Sequence, residues 1–210
     1  MKTKQRASYV EFLTAFSPMC CFSLNQILHA ADQSISRNTI GRWVKEGKLV
    51  RLRQGWYSFG QMKGEPDVPL YCANRIYAPS YISVHTALSL YGMIPEAVVQ
   101  LTSVTSRTTA YFENPFGQFT YRSVKEELMF GYTFKASTLE SHRSIMIALP
   151  EKALLDLLYL YPQYKSPDDM RELRLDTDEI DVGRLDAYTQ RFGVKALETR
   201  VHALKEAYGL

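Results

Sequence analysis

Residues 34–59, SISRNTIGRWVKEGKLVRLRQGWYSF, read as a helix followed by a tight β-hairpin. Ser36 suits the helix N-cap, where its hydroxyl accepts from a free amide of the first turn. Ile40, Trp43 and Val44 fall at i, i+3 and i+4 and form one apolar stripe. Gly47 ends the helix as a left-handed cap. Leu49–Leu52 and Trp56–Phe59 read as two short strands. Arg53-Gln54-Gly55 joins them, with glycine where a positive φ is needed.

The other face of this helix carries Arg37, Asn38, Thr39, Arg42 and Lys45. These are the side chains that the DNA major groove accommodates. Arginine pairs with guanine O6 and N7, asparagine with adenine N6 and N7, and threonine meets the thymine methyl. Arg51, Arg53 and Gln54 at the hairpin suit the adjacent backbone or minor groove. With Ser36 at the helix start, these residues form the expected DNA contact surface of a winged helix-turn-helix. The alternative is a solvated helix face beside an ordinary hairpin.

Working outward, residues 1–8 are polar and expected to fray. Tyr9–Phe16 reads as a first helix with Val10, Leu13 and Phe16 inward, broken at Ser17-Pro18. Ser23 caps a second helix, Leu24 to Ala31, with Leu24, Ile27 and Leu28 on one side. Asp32-Gln33-Ser34 is the turn into the third. The Gly- and Pro-rich stretch of residues 60–69, GQMKGEPDVP, reads as a linker. The fold class is therefore α+β. An N-terminal winged helix-turn-helix, residues 1–62, is followed by a mixed α+β domain with a helical C-terminal part, residues 63–210.

Charge divides the chain in the same place. Residues 1–64 hold ten Lys/Arg against three Asp/Glu, or +7. Residues 65–210 hold 15 against 19, or −4, giving the +3 of the whole. A basic front and an acidic back fit a DNA-binding head on a different kind of body. Cys20, Cys21 and Cys72 have no metal spacing and read as reduced core residues of a cytoplasmic protein. Met1-Lys2-Thr3-Lys4 is followed by no long apolar run, so neither a secretory signal nor a membrane span is expected.

In the second domain, helices are expected at Leu70–Tyr77, Val84–Tyr91, Glu151–Leu160, Met170–Leu175, Val182–Phe192 and Val194–Tyr208. Strands are expected at Val98–Val104, Thr109–Glu113, Gln118–Ser123 and Ser144–Ala148. Asn114-Pro115-Phe116-Gly117 is a hairpin turn. Pro150 is at the first position of the most apolar helix, and the acidic Glu151 suits its dipole.

Several strings of this domain, taken in order, resemble the AbiEi antitoxins of AbiE abortive-infection toxin–antitoxin systems. They are Tyr81-Ile82-Ser83, His85-Thr86-Ala87-Leu88 and Tyr91-Gly92-Met93-Ile94-Pro95-Glu96-Ala97. Next come Thr102-Ser103-Val104-Thr105-Ser106-Arg107, Phe119-Thr120-Tyr121-Arg122 and Phe130-Gly131-Tyr132. The last is Ile147-Ala148-Leu149-Pro150-Glu151-Lys152-Ala153-Leu154-Leu155-Asp156. The resemblance spans residues 20–165; the helical tail is less diagnostic. It implies a winged-helix head that represses its own promoter at inverted repeats. It also implies a C-terminal antitoxin domain that counters a nucleotidyltransferase-like toxin, in a type IV arrangement without a stable complex. It carries over no catalytic residue, and nothing in these motifs calls for a cofactor.

Other clusters have competing readings. Glu151 and Lys152 are either part of a surface used in antitoxicity, or a helix start with Glu151 on the dipole and Lys152 solvated. Asp168, Asp169 and Glu172 are either metal ligands or an exposed acidic helix start. Asp176, Asp178, Glu179 and Asp181 lack EF-hand spacing. Glu113, Glu126 and Lys152 would suit a Mg²⁺-dependent nuclease only if they converged. The histidines share no motif, and the second domain's tyrosines are either core residues or a stacking platform for single strands. Two further functions stay open: a ligand-responsive winged-helix transcription factor, and a metal-dependent nuclease.

Overall fold

The structure is a computed structural model, in which residues 8–30, 35–139 and 143–210 are described. The expected fraying segment before Ser8, the turn Asp32–Ser34 and His142 lie outside these residues. The fold is mixed α+β.

Three helices, α1 (Tyr9–Phe16), α2 (Leu24–Ala30) and α3 (Arg37–Lys45), come first. They pack on an antiparallel sheet of β1 (Cys21–Ser23), β2 (Leu49–Arg53) and β3 (Trp56–Phe59), in the order β1-β3-β2. Ser36 Oγ accepts from the Thr39 amide at 3.2 Å, so the expected cap forms. Gly47 and Gly55 adopt φ of +70° and +77°, where a Cβ would strain the backbone. Ile40 and Trp43 are buried, as their spacing requires. In α1 the inward stripe is Phe12 and Phe16, while Val10 is 68% exposed, against expectation. Aromatic packing decides this: Phe12 lies 4.6 Å from Phe16 and 4.9 Å from Trp43, ring to ring. Strand β1 was not foreseen, because three residues are too few to show a period. Ser23 ends it and also caps α2, its Oγ accepting from the Gln26 amide at 3.2 Å.

The stretch expected to be a linker is more ordered than its composition suggests. Residues 60–62 form a 3-10 turn, and α4 (Asp67–Ile76) begins three residues ahead of expectation with Val68 fully buried. Pro69 sits within its first turn, which tolerates a residue without an amide proton.

The body is a six-stranded mixed sheet. Its strands are β4 (Ser80–Ile82), β5 (Gln100–Thr105), β6 (Ala110–Asn114), β7 (Gly117–Ser123), β8 (Tyr132–Ala136) and β9 (Ser144–Ala148). Their order is β6-β7-β5-β4-β9-β8, with β5–β7 and β4–β9 parallel. Strand β4 stands just ahead of the expected helix Val84–Tyr91, where no strand was expected. β8 was also missed, because four of its five residues are exposed at a sheet edge. α4 covers one face, with Tyr121 donating to the Ala73 carbonyl at 2.7 Å. α5 (Val84–Leu90) and α6 (Pro150–Leu160) cover the other. α7 (Pro167–Arg171), α8 (Val182–Phe192) and α9 (Lys195–Tyr208) lie outside α6.

Two hydrophobic clusters result. One holds Phe12, Phe16, Phe22, Ile27, Trp43 and Phe59. The other runs through the body and also takes in Cys20, Cys21 and Leu52 from the front of the chain. The three cysteines are free and buried. No helix among the described residues is long and apolar enough to cross a membrane.

Candidate nucleic-acid interface and a buried charge cluster

The front of α3 and the β2–β3 hairpin enclose a cleft of about 380 Å³. Arg37 enters it from α3, and Arg51 and Gln54 from the hairpin. Asn25 of α2, Trp56 and Tyr57 complete it. The hairpin tip is tied to α2 by the Leu24 amide, which donates to the Gly55 carbonyl at 2.7 Å. Two guanidiniums thus face one opening beside neutral hydrogen-bonding side chains. That arrangement suits a phosphate or a base edge. Asn25 and Tyr57 lie outside the contact set expected from the sequence: α2 closes the third side of the cleft with Asn25, and β3 contributes Tyr57.

The remaining expected contacts are spread along α3. Asn38, Arg42 and Lys45 are exposed with Arg37 on one face. Arg42 lies 3.7 Å from Glu46 in an exposed i,i+4 pair, which a phosphate can displace at little cost. Thr39 is half-buried, and its hydroxyl lies 3.1 Å from Ser36 Oγ, so these two serve the helix cap. In the middle of the exposed face is Gly41, and a Cβ built there would meet no atom of the described residues within 4 Å. Neither backbone strain nor packing against the described residues calls for glycine there.

Arg53 departs from expectation. It is half-buried, and its Nε donates to the Ile76 carbonyl. Its guanidinium carbon lies 5.6 Å from the Phe112 ring, 5.9 Å from Tyr77 and 6.0 Å from Trp56. Unlike Arg51, it is turned toward the body.

Glu151 stands in the first turn of α6, as expected, but it and Lys152 are each fully buried. They form neither a surface nor a solvated helix start. Glu151 accepts from the Asp181 amide at 2.9 Å and pairs with Arg184 at 3.3 Å, fastening α6 to the start of α8. Lys152 pairs with Asp156 one turn on and donates to the Tyr81 hydroxyl at 2.8 Å. Tyr81 and Ser83 donate to the other Asp156 oxygen at 3.0 and 2.7 Å. The rings of Phe192, Phe130 and Tyr81 lie within 5.3 Å of the ammonium. Burial lowers the Lys152 pKa and raises that of Asp156, while their mutual attraction opposes both shifts. Burial and Asp156 together push the Tyr81 phenol far up. Gly131 makes room for this cluster, since a Cβ there would lie 2.8 Å from Tyr188 and 3.1 Å from Lys152. Directly after Ser83, the β-branched Val84 is held at φ +58°, a strained conformation fixed by complete burial.

The other clusters resolve into local structure. Asp169 forms a capping box with Ser166, and Asp168 pairs with Arg171 at 2.6 Å. Asp181 caps α8 by accepting from the Arg184 amide at 2.9 Å. Glu113 is exposed on edge strand β6, Glu126 is exposed in a 3-10 turn, and Lys152 is buried. These three do not converge. Tyr81 and Tyr121 are fully buried, while Tyr111 is 50% exposed.

Among known proteins, no family model matches the chain and no curated protein matches it.

Proposed function

We propose that this chain is a winged-helix DNA-binding autorepressor and the antitoxin of a type IV toxin–antitoxin operon. α3 is the recognition helix and the β2–β3 hairpin is the wing. The observation that carries the DNA-binding half is the cleft, where Arg37 of α3 and Arg51 of the hairpin share one opening with Gln54 and Asn25. Base contacts fall to Arg37, Asn38 and Arg42, and phosphate contacts to Arg51 and Lys45. The exposed Gly41 fits the same reading, since it lets the helix backbone approach a groove wall closely.

The antitoxin half rests on the resemblance of residues 20–165. The strings Tyr81-Ile82-Ser83 and Glu151-Lys152 through Asp156 meet in one buried network, so they act as structural keystones of the body. In this reading the cytoplasmic protein counters a nucleotidyltransferase-like toxin without a stable complex and carries out no bond-making step itself.

The test is fluorescence anisotropy of the full chain on its own promoter and on scrambled DNA across salt concentrations. Preferential, salt-dependent binding is expected, with Arg37→Ala losing on the order of 1–3 kcal/mol on the promoter alone. Equal affinity for both DNAs would contradict operator recognition. Co-expression with the neighbouring gene tests the antitoxin half: growth arrest by that gene, relieved by this chain, is expected.

A further inference from the structure

In a regular strand, residues 51 and 53 would share a face. Here they do not. The register of β2 against β3 shifts between them: Arg51 is opposite Tyr57 and Arg53 is opposite Trp56. A bulge of this kind re-aims side chains. Arg51 stays in the cleft, Leu52 is 1% exposed in the body's core cluster, and Arg53 turns onto the body. There its Nε is committed to the Ile76 carbonyl at the end of α4. Its plane is lined by Trp56 of the wing and by Tyr77 and Phe112 of the body. The next link is on the backbone: Asn114, the last residue of β6, donates from Nδ2 to the Leu52 carbonyl at 3.0 Å. Asn114 is itself fixed, because its Oδ1 accepts from the Phe116 amide at 2.9 Å within the β6–β7 turn.

We propose that Arg53 and Asn114 are positioning residues for DNA binding. They clamp the wing to the end of α4 and to edge strand β6, so that the body sets where Arg51 and Gln54 stand in the cleft. This rests on the DNA-binding reading above and deepens it: the body becomes part of the operator-reading unit, although it is acidic and lines none of the cleft. Arg53 is a clamp and not a phosphate contact.

The two roles for Arg53 differ in salt dependence. Loss of a phosphate contact flattens the slope of log K against log salt by about one and weakens all DNA alike. Loss of a clamp leaves the slope in place and erodes the preference for promoter over scrambled DNA. The experiment measures both quantities on the full chain for Arg53→Gln, Asn114→Asp and Arg51→Ala. Asn114→Asp keeps the acceptor for the Phe116 amide and removes the donor to Leu52. Thermal melts confirm that each variant is folded at the assay temperature.

We expect Arg53→Gln and Asn114→Asp each to lower the promoter preference about fivefold or more with the wild-type slope. Adding Arg51→Ala to Arg53→Gln should cost less than it does alone, because a displaced wing no longer delivers Arg51. Should Arg53→Gln fail to fold, Asn114→Asp alone decides the matter. A flattened slope with equal losses on both DNAs would overturn the clamp and restore a phosphate contact. Unchanged preference in a folded variant would overturn it as well. Absence of any promoter preference in the wild type would overturn the DNA-binding reading, and the clamp with it.

Discussion

Lys152 shows how much a single side chain costs or stabilises according to its partners. It is fully buried, and so is Asp156. Removing one partner leaves the other charge uncompensated in a site that water does not reach. Lys152→Met is therefore expected to destabilise the protein by about 3–5 kcal/mol. The double variant Lys152→Met with Asp156→Leu should recover part of that loss, since it leaves no buried charge, although the buried Tyr81 and Ser83 hydroxyls lose their acceptor. Denaturant titration of the two variants checks this; a single variant as stable as wild type would show the pair to be dispensable. The i,i+4 spacing of Lys152 and Asp156 stands in the sequence, yet the sequence reading has Lys152 either on a functional surface or solvated at a helix start. Its burial was not readable, because Tyr81 and Ser83, which satisfy the remaining oxygen, lie more than 70 positions earlier. His85 makes a second test at this scale. Burial lowers its pKa from the ordinary 6.5, with Glu96 opposing, and its ring packs edge-on to Tyr161. Folding thus favours the neutral ring: its contribution is present above pH 6.5 and is lost as pH falls through the depressed value. Melting temperature should fall as the pH drops below 6.5, and fall less in His85→Gln.

At the scale of elements, α3 and its hairpin are set by local chemistry. A serine cap, an apolar stripe at helical spacing and two glycines at positive φ fix their boundaries within a residue of the reading. Gly41 turns this into a prediction. At an open helix-interior position, Gly41→Ala should raise stability by up to about 1 kcal/mol through lost unfolded-state freedom. If α3 lies against a groove, the same methyl should weaken promoter binding. A thermal melt beside anisotropy separates the two effects, and unchanged promoter affinity in the stabilised variant would place Gly41 away from the DNA. Arg51→Ala should lower affinity for all DNA and flatten the salt slope by about one. Elements with weaker local signals were misjudged. β1 is too short for periodicity, β8 is an exposed edge, and α7 starts at Pro167 on the capping box of Ser166.

In the whole molecule, the expected two domains are connected by more than a chain. The β2–β3 hairpin shares Leu52 with the body's core, and Arg53 and Asn114 cross between them. Repression and antitoxicity should nonetheless separate in point variants of the full chain. If the proposed function holds, Arg37→Ala with Arg42→Ala is expected to abolish repression of a promoter–reporter fusion and keep rescue from the proposed toxin, because both residues are exposed on α3. Loss of rescue in a folded variant would show that antitoxicity runs through DNA binding. By itself the sequence determined the α3–hairpin unit, the mixed α+β body, the apolar α6 and the split of charge. Those depend on caps, glycines and periodicities that act within a few residues. Tertiary structure alone decided that Arg53 turns inward, that Glu151 and Lys152 are buried, and that Asn25 joins the cleft. Each of these depends on a surface contributed from far along the chain, and a side chain's own identity does not say which surface it will meet.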